Sequence, residues 1–258
     1  MTAAPEPVSS ARRISAPPSM SALAAEALRT LILSGDLRPG DRLIENRLTE
    51  ELGVSRPPLR EAMRVVEQEG LIVQVPRKGA VVAPVTPHDI YEIVSLREEI
   101  EQIAVRLGVP VRSQERLDRL RRTFADLWIA AEEEEGAPRG VEASFAFHLA
   151  IIGLAGHRRL EGVYRSLSLQ LRMCMAMNRR ARAEIETARE DADRHRPLMD
   201  HIEAGDVAGT AHVLAHHGQR TYLLGIKDDA EGHSPESRAW FARIRREEEE
   251  AMRRDGNG

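Results

Sequence analysis

Three histidines lie on the apolar faces of three separate predicted helices in the C-terminal half of the chain: His148, His195 and His217. A single histidine pointing into a helical bundle is most often a hydrogen-bonded core residue. Three from different helices can instead form a metal site, because neutral imidazoles suit zinc, nickel, copper or iron and leave a coordination position open. The spacing leaves both interpretations open; a metal bound here would be divalent, zinc or nickel by preference. His212 and His216 form a further pair, but on a face predicted to be exposed.

Three arginines mark a second stretch that could have a functional role. Arg56, Arg60 and Arg64 follow at intervals of four residues, which places their guanidinium groups on one stripe of a predicted helix. Leu59 and Met63 form another stripe, suited to packing. Such a helix, taken alone, can be an ordinary solvated surface helix. Its role therefore depends on the elements around it.

Two further arginines stand within amphipathic helices of the C-terminal half. Arg97 and Arg172 are long basic side chains, and either could grip a carboxylate with two parallel hydrogen bonds. The alternative is an ion pair between Arg97 and Glu101, one helical turn apart, and a surface position for Arg172. Both interpretations remain open from the sequence.

The elements around the arginine stripe form a helix-turn-helix pattern. Amphipathic helices are predicted over residues 21–34 and 45–52, and Gly53 is placed to end the second in the left-handed conformation. The arginine helix begins at Ser55, whose hydroxyl can accept a backbone N–H bond from the first turn. Pro57 is tolerated there because the first-turn N–H groups have no partner inside the helix.

Two short strands follow the arginine helix. Residues 71–75 and 80–82 favour strands, joined by a basic hairpin tip at 76–79. A basic hairpin directly after a recognition helix is the wing of a winged helix-turn-helix. In that arrangement the helix enters the major groove, and phosphate contacts fix its register.

The C-terminal half is predicted to be an antiparallel bundle of helices, since apolar residues recur at helical spacing between glycine-containing breaks. The predicted helices cover residues 90–107, 114–135, 141–154, 160–181, 184–204 and 207–227. The charged end favours one more helix over 237–254, loosely attached, in which Trp240, Phe241 and Ile244 could make one apolar contact.

The fold is thus predicted to be mainly α, with a winged helix-turn-helix followed by an all-α bundle. The predicted boundaries are a flexible arm at 1–18, a DNA-binding domain at 19–85, a helical domain at 86–229 and a charged tail at 230–258.

Composition narrows the function classes. The 258 residues carry a net charge of −4, so a DNA-binding surface has to be local. Aromatic residues make up 3% of the chain, which argues against a platform that stacks single-stranded bases. The single cysteine, Cys174, excludes an internal disulfide and a cysteine-ligated zinc finger and fits a reducing cytoplasm. No apolar run approaches the roughly 20 residues that span a bilayer, and the proline-rich N-terminus is neither signal peptide nor anchor.

The N-terminal half resembles the DNA-binding domain of the GntR family of bacterial transcription regulators. The matching features are the Leu-Arg-Pro-Gly-Asp turn at 37–41, residues 48–53, Ser-Arg-x-Pro-x-Arg-Glu-Ala at 55–62, Glu-Gly-Leu at 69–71 and the Lys-Gly pair at 78–79. The resemblance implies a set of DNA-contacting residues in the helix and the wing: Ser55, Arg56, Pro57, Arg60, Arg77, Lys78 and Gly79. Arg64 continues the same stripe farther from the helix start, where it is a candidate phosphate contact.

The C-terminal half resembles the FCD ligand-binding domain, so the whole chain is similar to the FadR-type subfamily. The supporting motifs are Leu-Arg-x-x-Ile-Glu at 96–101, Phe-His at 147–148, Ala-Gly-His at 155–157, Arg-His at 194–195, and Gly-Asp at 205–206 with His217. The resemblance implies that His148, His195 and His217 bind a divalent metal together with an aspartate one turn before the first histidine. Ser144 occupies that position, so the remaining ligands would be water or effector oxygens.

Together these features predict a cytoplasmic transcription repressor that binds a palindromic operator as a homodimer. A small organic acid is the expected effector, with Arg97, Ser144 and Arg172 as candidate contacts. The competing interpretation is a three-histidine metal-dependent enzyme fused to a DNA-binding module, with Glu101 as its acid or base. A third is an architectural DNA-binding dimer without an effector. We expect a regulator and not an enzyme.

Overall fold

The computed structural model describes residues 17–133, 138–182, 186–217 and 231–255. Its N-terminal part is three helices followed by a two-stranded antiparallel hairpin: α1 (Met20–Ser34), α2 (Glu45–Leu52), α3 (Arg56–Gln68), β1 (Ile72–Val75) and β2 (Gly79–Val82). The strands pair with Ile72 opposite Val82 and Val75 opposite Gly79. This is the winged helix-turn-helix arrangement that the sequence predicts.

The turn between α2 and α3 lies between Gly53, which ends α2, and Ser55, which precedes α3. Gly53 ends α2 with a φ of 64°, the left-handed conformation that glycine adopts without steric cost. Ser55 precedes α3 but makes no side-chain capping bond, so the capping prediction is wrong. A capping oxygen normally accepts from the second or third N–H of the helix, and those positions are Pro57 and Pro58, which have none.

Nine helices make up the rest of the described residues: α4 (Pro87–Gly108), α5 (Gln114–Glu133), α6 (Pro138–Leu154), α7 (Arg158–Ser166), α8 (Ser168–Arg182), α9 (Ala188–Asp193), α10 (Arg196–Glu203), α11 (Val207–His216) and α12 (Pro235–Asp255). A capping box starts α4: Thr86 Oγ1 accepts from the Asp89 N–H, and the Asp89 carboxylate accepts from the Thr86 N–H. None of the described helices is long and apolar enough to cross a membrane.

Three predicted helices differ from the structure. The predicted helix at 160–181 is two helices, α7 and α8, that meet at Leu167, where nothing in the local sequence is a helix breaker. The predicted helix at 184–204 is also two, because Pro197 in the first turn of α10 cannot continue α9. The predicted helix at 207–227 is observed as α11, and residues 218–227 lie outside the described residues.

The C-terminal helix is more firmly packed than predicted. Trp240, Phe241 and Ile244 are each at most 5% exposed and pack on Ile90 and Val94 of α4. The prediction of a loosely attached helix is therefore wrong for α12. The three apolar residues form one stripe of the helix, and the first turns of α4 offer a matching apolar face.

Candidate DNA-binding face and metal centre

The arginine stripe of α3 faces solvent. Arg56, Arg60 and Arg64 are all exposed, while Leu59 and Val66 on the opposite side are fully buried in the N-terminal core. The same helix therefore anchors itself through one face and presents three guanidinium groups on the other. Ser55 and Pro57, also predicted to contact DNA, are exposed at its start.

Two polar side chains of α2 pair with two arginines of the stripe. The Arg60 Nε lies 3.0 Å and 3.1 Å from the two oxygens of Glu45, and a terminal nitrogen of Arg60 lies 3.0 Å from the same carboxylate. Arg56 donates to the side-chain oxygen of Asn46 at 3.0 Å. A guanidinium in such a fork retains further N–H groups that can bind a base edge or a phosphate.

The hairpin tip extends the basic surface. Arg77, Lys78 and Gly79 are exposed, and Arg77 has a φ of 66°. The Lys78 N–H donates to the Val75 carbonyl oxygen at 3.0 Å, which closes the turn. Positive φ at a non-glycine residue is uncommon and marks a tightly specified turn, so the backbone places the two basic side chains at the tip of the wing.

The three predicted metal ligands converge inside the C-terminal bundle. His148 comes from α6, His195 directly precedes α10, and His217 directly follows α11. One donor atom from each of them lies within 4.8 Å of the others. The ring centroids are 5.6 Å apart for His148 and His195, 5.1 Å for His148 and His217, and 4.4 Å for His195 and His217. By contrast, His212 and His216 are exposed, as expected.

Burial keeps these histidines neutral. It lowers the pKa of His195 to about 3, aided by its neighbour His148, and it also lowers the pKa of His148 and of His217. Neutral imidazole is the form that binds metal ions. The Nδ1 of His195 lies 3.0 Å from the Asp191 carbonyl oxygen, whereas its buried Nε2 has no hydrogen-bond partner among the described residues. An unpartnered nitrogen between two other imidazoles fits a three-histidine metal site.

A buried polar network contacts His148 at its Nδ1 atom. One carboxylate oxygen of Glu101 accepts from Arg97 Nε at 2.8 Å, from the Tyr164 hydroxyl at 3.0 Å and lies 3.0 Å from His148 Nδ1. Burial alone would raise the pKa of Glu101, but the charge of Arg97 and the contact with His148 outweigh it and lower the pKa to about 2. The carboxylate is therefore charged.

The three predicted effector contacts, Arg97, Ser144 and Arg172, do not all lie in one site. Arg97 pairs with Glu101, yet a terminal nitrogen of Arg97 also lies 3.1 Å from His148 Nδ1, so the arginine reaches the histidine cluster. Ser144 is half-buried, one turn before His148 on α6. Arg172 pairs with Glu142 at 2.5 Å and lines an open cleft of about 550 Å³ between α1 and α8. The structure thus brings Arg97 to the histidines and places Arg172 in that separate cleft.

Two residues that the sequence did not single out matter for the geometry. Tyr164 is fully buried against Glu101, and Met173 of α8 is buried in the core of the N-terminal domain. Both contacts join segments far apart in the chain, and no local pattern marks them. Glu101 was predicted as an ion-pair partner of Arg97, which the structure confirms, or as an enzyme's acid or base; it also contacts His148, a candidate metal ligand.

A winged helix-turn-helix joined to a helical bundle is the architecture of a DNA-binding transcription regulator. Comparison with known families agrees. The model of bacterial regulatory proteins of the gntR family matches residues 21–82, and the FCD domain model matches residues 92–220. The chain belongs to the GntR family and carries an FCD domain. It is a regulator by family and not an enzyme, as expected.

Individual relatives support the same assignment. An uncharacterized HTH-type regulator in an unstable DNA locus of Streptomyces ambofaciens is 30% identical over 217 residues, 81% of this chain and 85% of the relative. A probable D-xylose utilization operon repressor of Paenarthrobacter nicotinovorans is 30% identical over 189 residues, 72% and 80% of the two chains. The structure of Escherichia coli McbR/YncC superposes with a TM-score of 0.61 at 26% identity, covering 79% and 95% of the chains.

Proposed function

We propose that this regulator is a metabolite-responsive repressor that binds a palindromic operator as a homodimer in the cytoplasm. A small organic acid, bound beside a divalent metal in the C-terminal bundle, lowers its affinity for the operator. The observation that carries this proposal is the convergence of His148, His195 and His217 within 4.8 Å, in a chain whose other half exposes an arginine stripe. The Paenarthrobacter relative, a probable D-xylose utilization operon repressor, is named for the same kind of regulation.

The DNA-binding part of the proposal assigns separate tasks to α3 and the wing. Arg56 and Arg60 near the start of α3 read base edges, since the first turns of a recognition helix enter the major groove. Arg64, one turn later, contacts a phosphate, as do Arg77 and Lys78 at the tip of the wing. Ser55, Pro57 and Gly79 lie at the exposed ends of the same surface.

The metal part of the proposal rests on the chemistry of the donor set. Three neutral imidazoles suit zinc or nickel, and a metal held by them would offer open positions to carboxylate oxygens. Arg97 lies against His148 and can donate to the same carboxylate, which makes it the arginine we assign to the effector. Ser144 lies one turn from His148, where it can donate a hydrogen bond.

A route from the effector site to DNA passes through α8. Three consecutive residues of this helix enter three different cores: Met173 the DNA-binding domain, Cys174 the contact between α4 and α12, and Met175 the bundle around His148's helix. The neighbouring Gln170 donates to the Glu69 carbonyl oxygen at the end of α3. A shift of α8 in response to the effector would therefore move the recognition helix directly.

We propose a homodimer because a palindromic operator has two half-sites. Helix-turn-helix dimers bind half-sites about one helical turn apart, so a two-fold protein matches a palindromic site. One copy of α3 and its wing covers only one such half-site.

The test combines metal analysis with operator binding. The purified chain should contain one zinc or nickel ion per subunit by mass spectrometry, and His195→Ala should lose it. Binding to the DNA upstream of its own gene should then weaken when lactate, succinate, citrate or gluconate is added to the metal-loaded protein. A chain that takes up no metal, and whose operator affinity none of these acids changes, would overturn the proposal.

A further inference from the structure

We infer that Glu101 is the positioning residue of the proposed metal centre: its carboxylate fixes His148 in the tautomer that presents Nε2 to the metal. This inference rests on the proposed function, because it presupposes that the three histidines hold an ion. It concerns a residue outside the ligand set, since the donor atoms that cluster within 4.8 Å among the described residues come from the histidines.

The contact between the two side chains determines the tautomer. Glu101 Oε1 lies 3.0 Å from His148 Nδ1, and both side chains are only 1% exposed. An ionised carboxylate can only accept hydrogen bonds, so Nδ1 must carry the proton. In a neutral imidazole the lone pair is then on Nε2, and that nitrogen is left to act as the metal ligand.

Two further groups fix the carboxylate itself. Arg97 Nε donates to the same oxygen at 2.8 Å, and the Tyr164 hydroxyl donates at 3.0 Å. Arg97 also supplies the opposite charge that a buried carboxylate requires. Arg97 lies in α4, the helix of Glu101 itself, and Tyr164 lies in α7. The Glu101 carboxylate is therefore held both from its own helix and from a second one, independently of its contact with His148.

The same carboxylate orients Arg97 towards the centre. With Nε on Glu101, a terminal nitrogen of Arg97 lies 3.1 Å from His148 Nδ1 and 3.2 Å from Nε2. A metal on Nε2 would require this nitrogen to donate elsewhere, and a carboxylate bound to the metal would be a suitable acceptor. Glu101 therefore positions both a ligand and the proposed effector contact.

This role has particular weight because Ser144 stands where related proteins are expected to supply a carboxylate ligand. A carboxylate behind a metal-bound imidazole raises its basicity and fixes its orientation, and loss of such a partner typically weakens metal binding by about 10–100-fold. In this chain Glu101 supplies negative charge through His148 rather than by direct ligation.

The central experiment compares zinc affinities by competition with a chromogenic chelator. Glu101→Gln keeps the shape of the side chain but loses its charge, and should weaken zinc binding about 10–100-fold with one ion still bound at saturation. Glu99→Gln is the matched control, because Glu99 lies on the exposed face of the same helix, and it should bind zinc like the wild type. Melting curves without metal establish that the variants are folded.

A second measurement needs no substitution at Glu101. In zinc-loaded wild-type protein labelled with ¹⁵N-histidine, the His148 ring should show a protonated Nδ1 and a metal-bound Nε2. If Glu101→Gln fails to fold, this spectrum and the milder variant Tyr164→Phe decide the question. Tyr164→Phe removes one of the donors that hold Glu101, and it should weaken zinc binding less than Glu101→Gln, in the same direction.

The outcomes separate this inference from the proposed function. If the wild type binds no zinc, or if His195→Ala binds it equally well, the proposed metal centre is wrong. If the wild type binds zinc through the histidines but folded Glu101→Gln matches its affinity, or if His148 binds the metal through Nδ1, the centre stands and the role of Glu101 is wrong.

Discussion

Arg60 of the recognition helix forms a three-contact ion pair with Glu45 of the preceding helix, with nitrogen–oxygen distances of 3.0–3.1 Å. Exposed ion pairs contribute little to folding stability. The main effect of this ion pair is to orient the Arg60 side chain, because it ties the guanidinium to α2 on the outward face of the DNA-binding domain. In the proposed DNA complex Arg60 would therefore be oriented before DNA arrives, which would reduce the rotamer entropy that binding must overcome.

The first prediction concerns this arginine. Arg60→Ala should weaken binding to the specific operator by about 1–3 kcal/mol, because a guanidinium that contacts a base edge through two hydrogen bonds contributes that much discrimination. Binding to unrelated DNA should change far less. Fluorescence anisotropy on both DNAs, at one salt concentration, measures the difference.

Two other arginines serve as comparisons for Arg60→Ala. Arg64→Ala should weaken specific and unrelated DNA alike and reduce the salt dependence by about one ion, as expected of a phosphate contact. Arg243→Ala removes an exposed arginine of α12 and should leave both affinities unchanged. Equal loss on both DNAs for Arg60→Ala would show that Arg60 does not read bases.

Local patterns were sufficient for the elements of the DNA-binding domain, apart from the cap at Ser55. The glycine at 53, the arginine spacing and the basic tip each act within a few residues, and the structure places Gly53 at a φ of 64° as such a pattern requires. Long-range contacts were not predictable in this way. Tyr164 meets Glu101 across 63 residues of sequence, and the helix break at Leu167 has no local breaker, so both depend on packing of the whole bundle. The three histidines were predictable because each fits the apolar spacing of a predicted helix, although the structure places His195 directly before α10 and His217 directly after α11.

The second prediction concerns the contact between α8 and the DNA-binding core. Met173 is 5% exposed within that core, so Met173→Ala should lower the free energy of unfolding by about 2–5 kcal/mol. Met173→Leu nearly conserves the volume and should cost less than about 1.5 kcal/mol. Urea unfolding of both variants measures the two costs. A cost for Met173→Ala as small as that for Met173→Leu would show that α8 does not anchor the DNA-binding domain.

The third prediction concerns α12, which lies beyond the residues matched by the FCD model. Trp240 is 5% exposed, and its ring centroid lies 6.0 Å from that of Tyr91 in α4. Trp240→Ala should therefore lower the free energy of unfolding by about 3–5 kcal/mol. Arg243→Ala, on the exposed face of the same helix, should change it by less than about 0.5 kcal/mol. Thermal and urea unfolding that show no difference between the two variants would mean that α12 does not pack on α4 in solution.

The fourth prediction restores the ligand that the resemblance leads one to expect. Ser144 and His148 are one helical turn apart on α6, so side chains at the two positions lie on the same face. Ser144→Asp should supply a carboxylate to the metal and raise zinc affinity by about tenfold, which corresponds to about 1.4 kcal/mol. Ser144→Ala should bind zinc like the wild type, because a neutral serine hydroxyl is a poor ligand.

Melting temperatures with and without zinc provide a second test of the fourth prediction. A carboxylate at position 144 would be half-buried near three neutral imidazoles, where the cation Arg97 is already paired with Glu101, so without metal Ser144→Asp should melt at a lower temperature than the wild type. Zinc should then raise its melting temperature by more than it raises that of the wild type, since binding to the folded state alone adds stability in proportion to affinity. The same increment with zinc in both proteins would show that residue 144 does not face the ion.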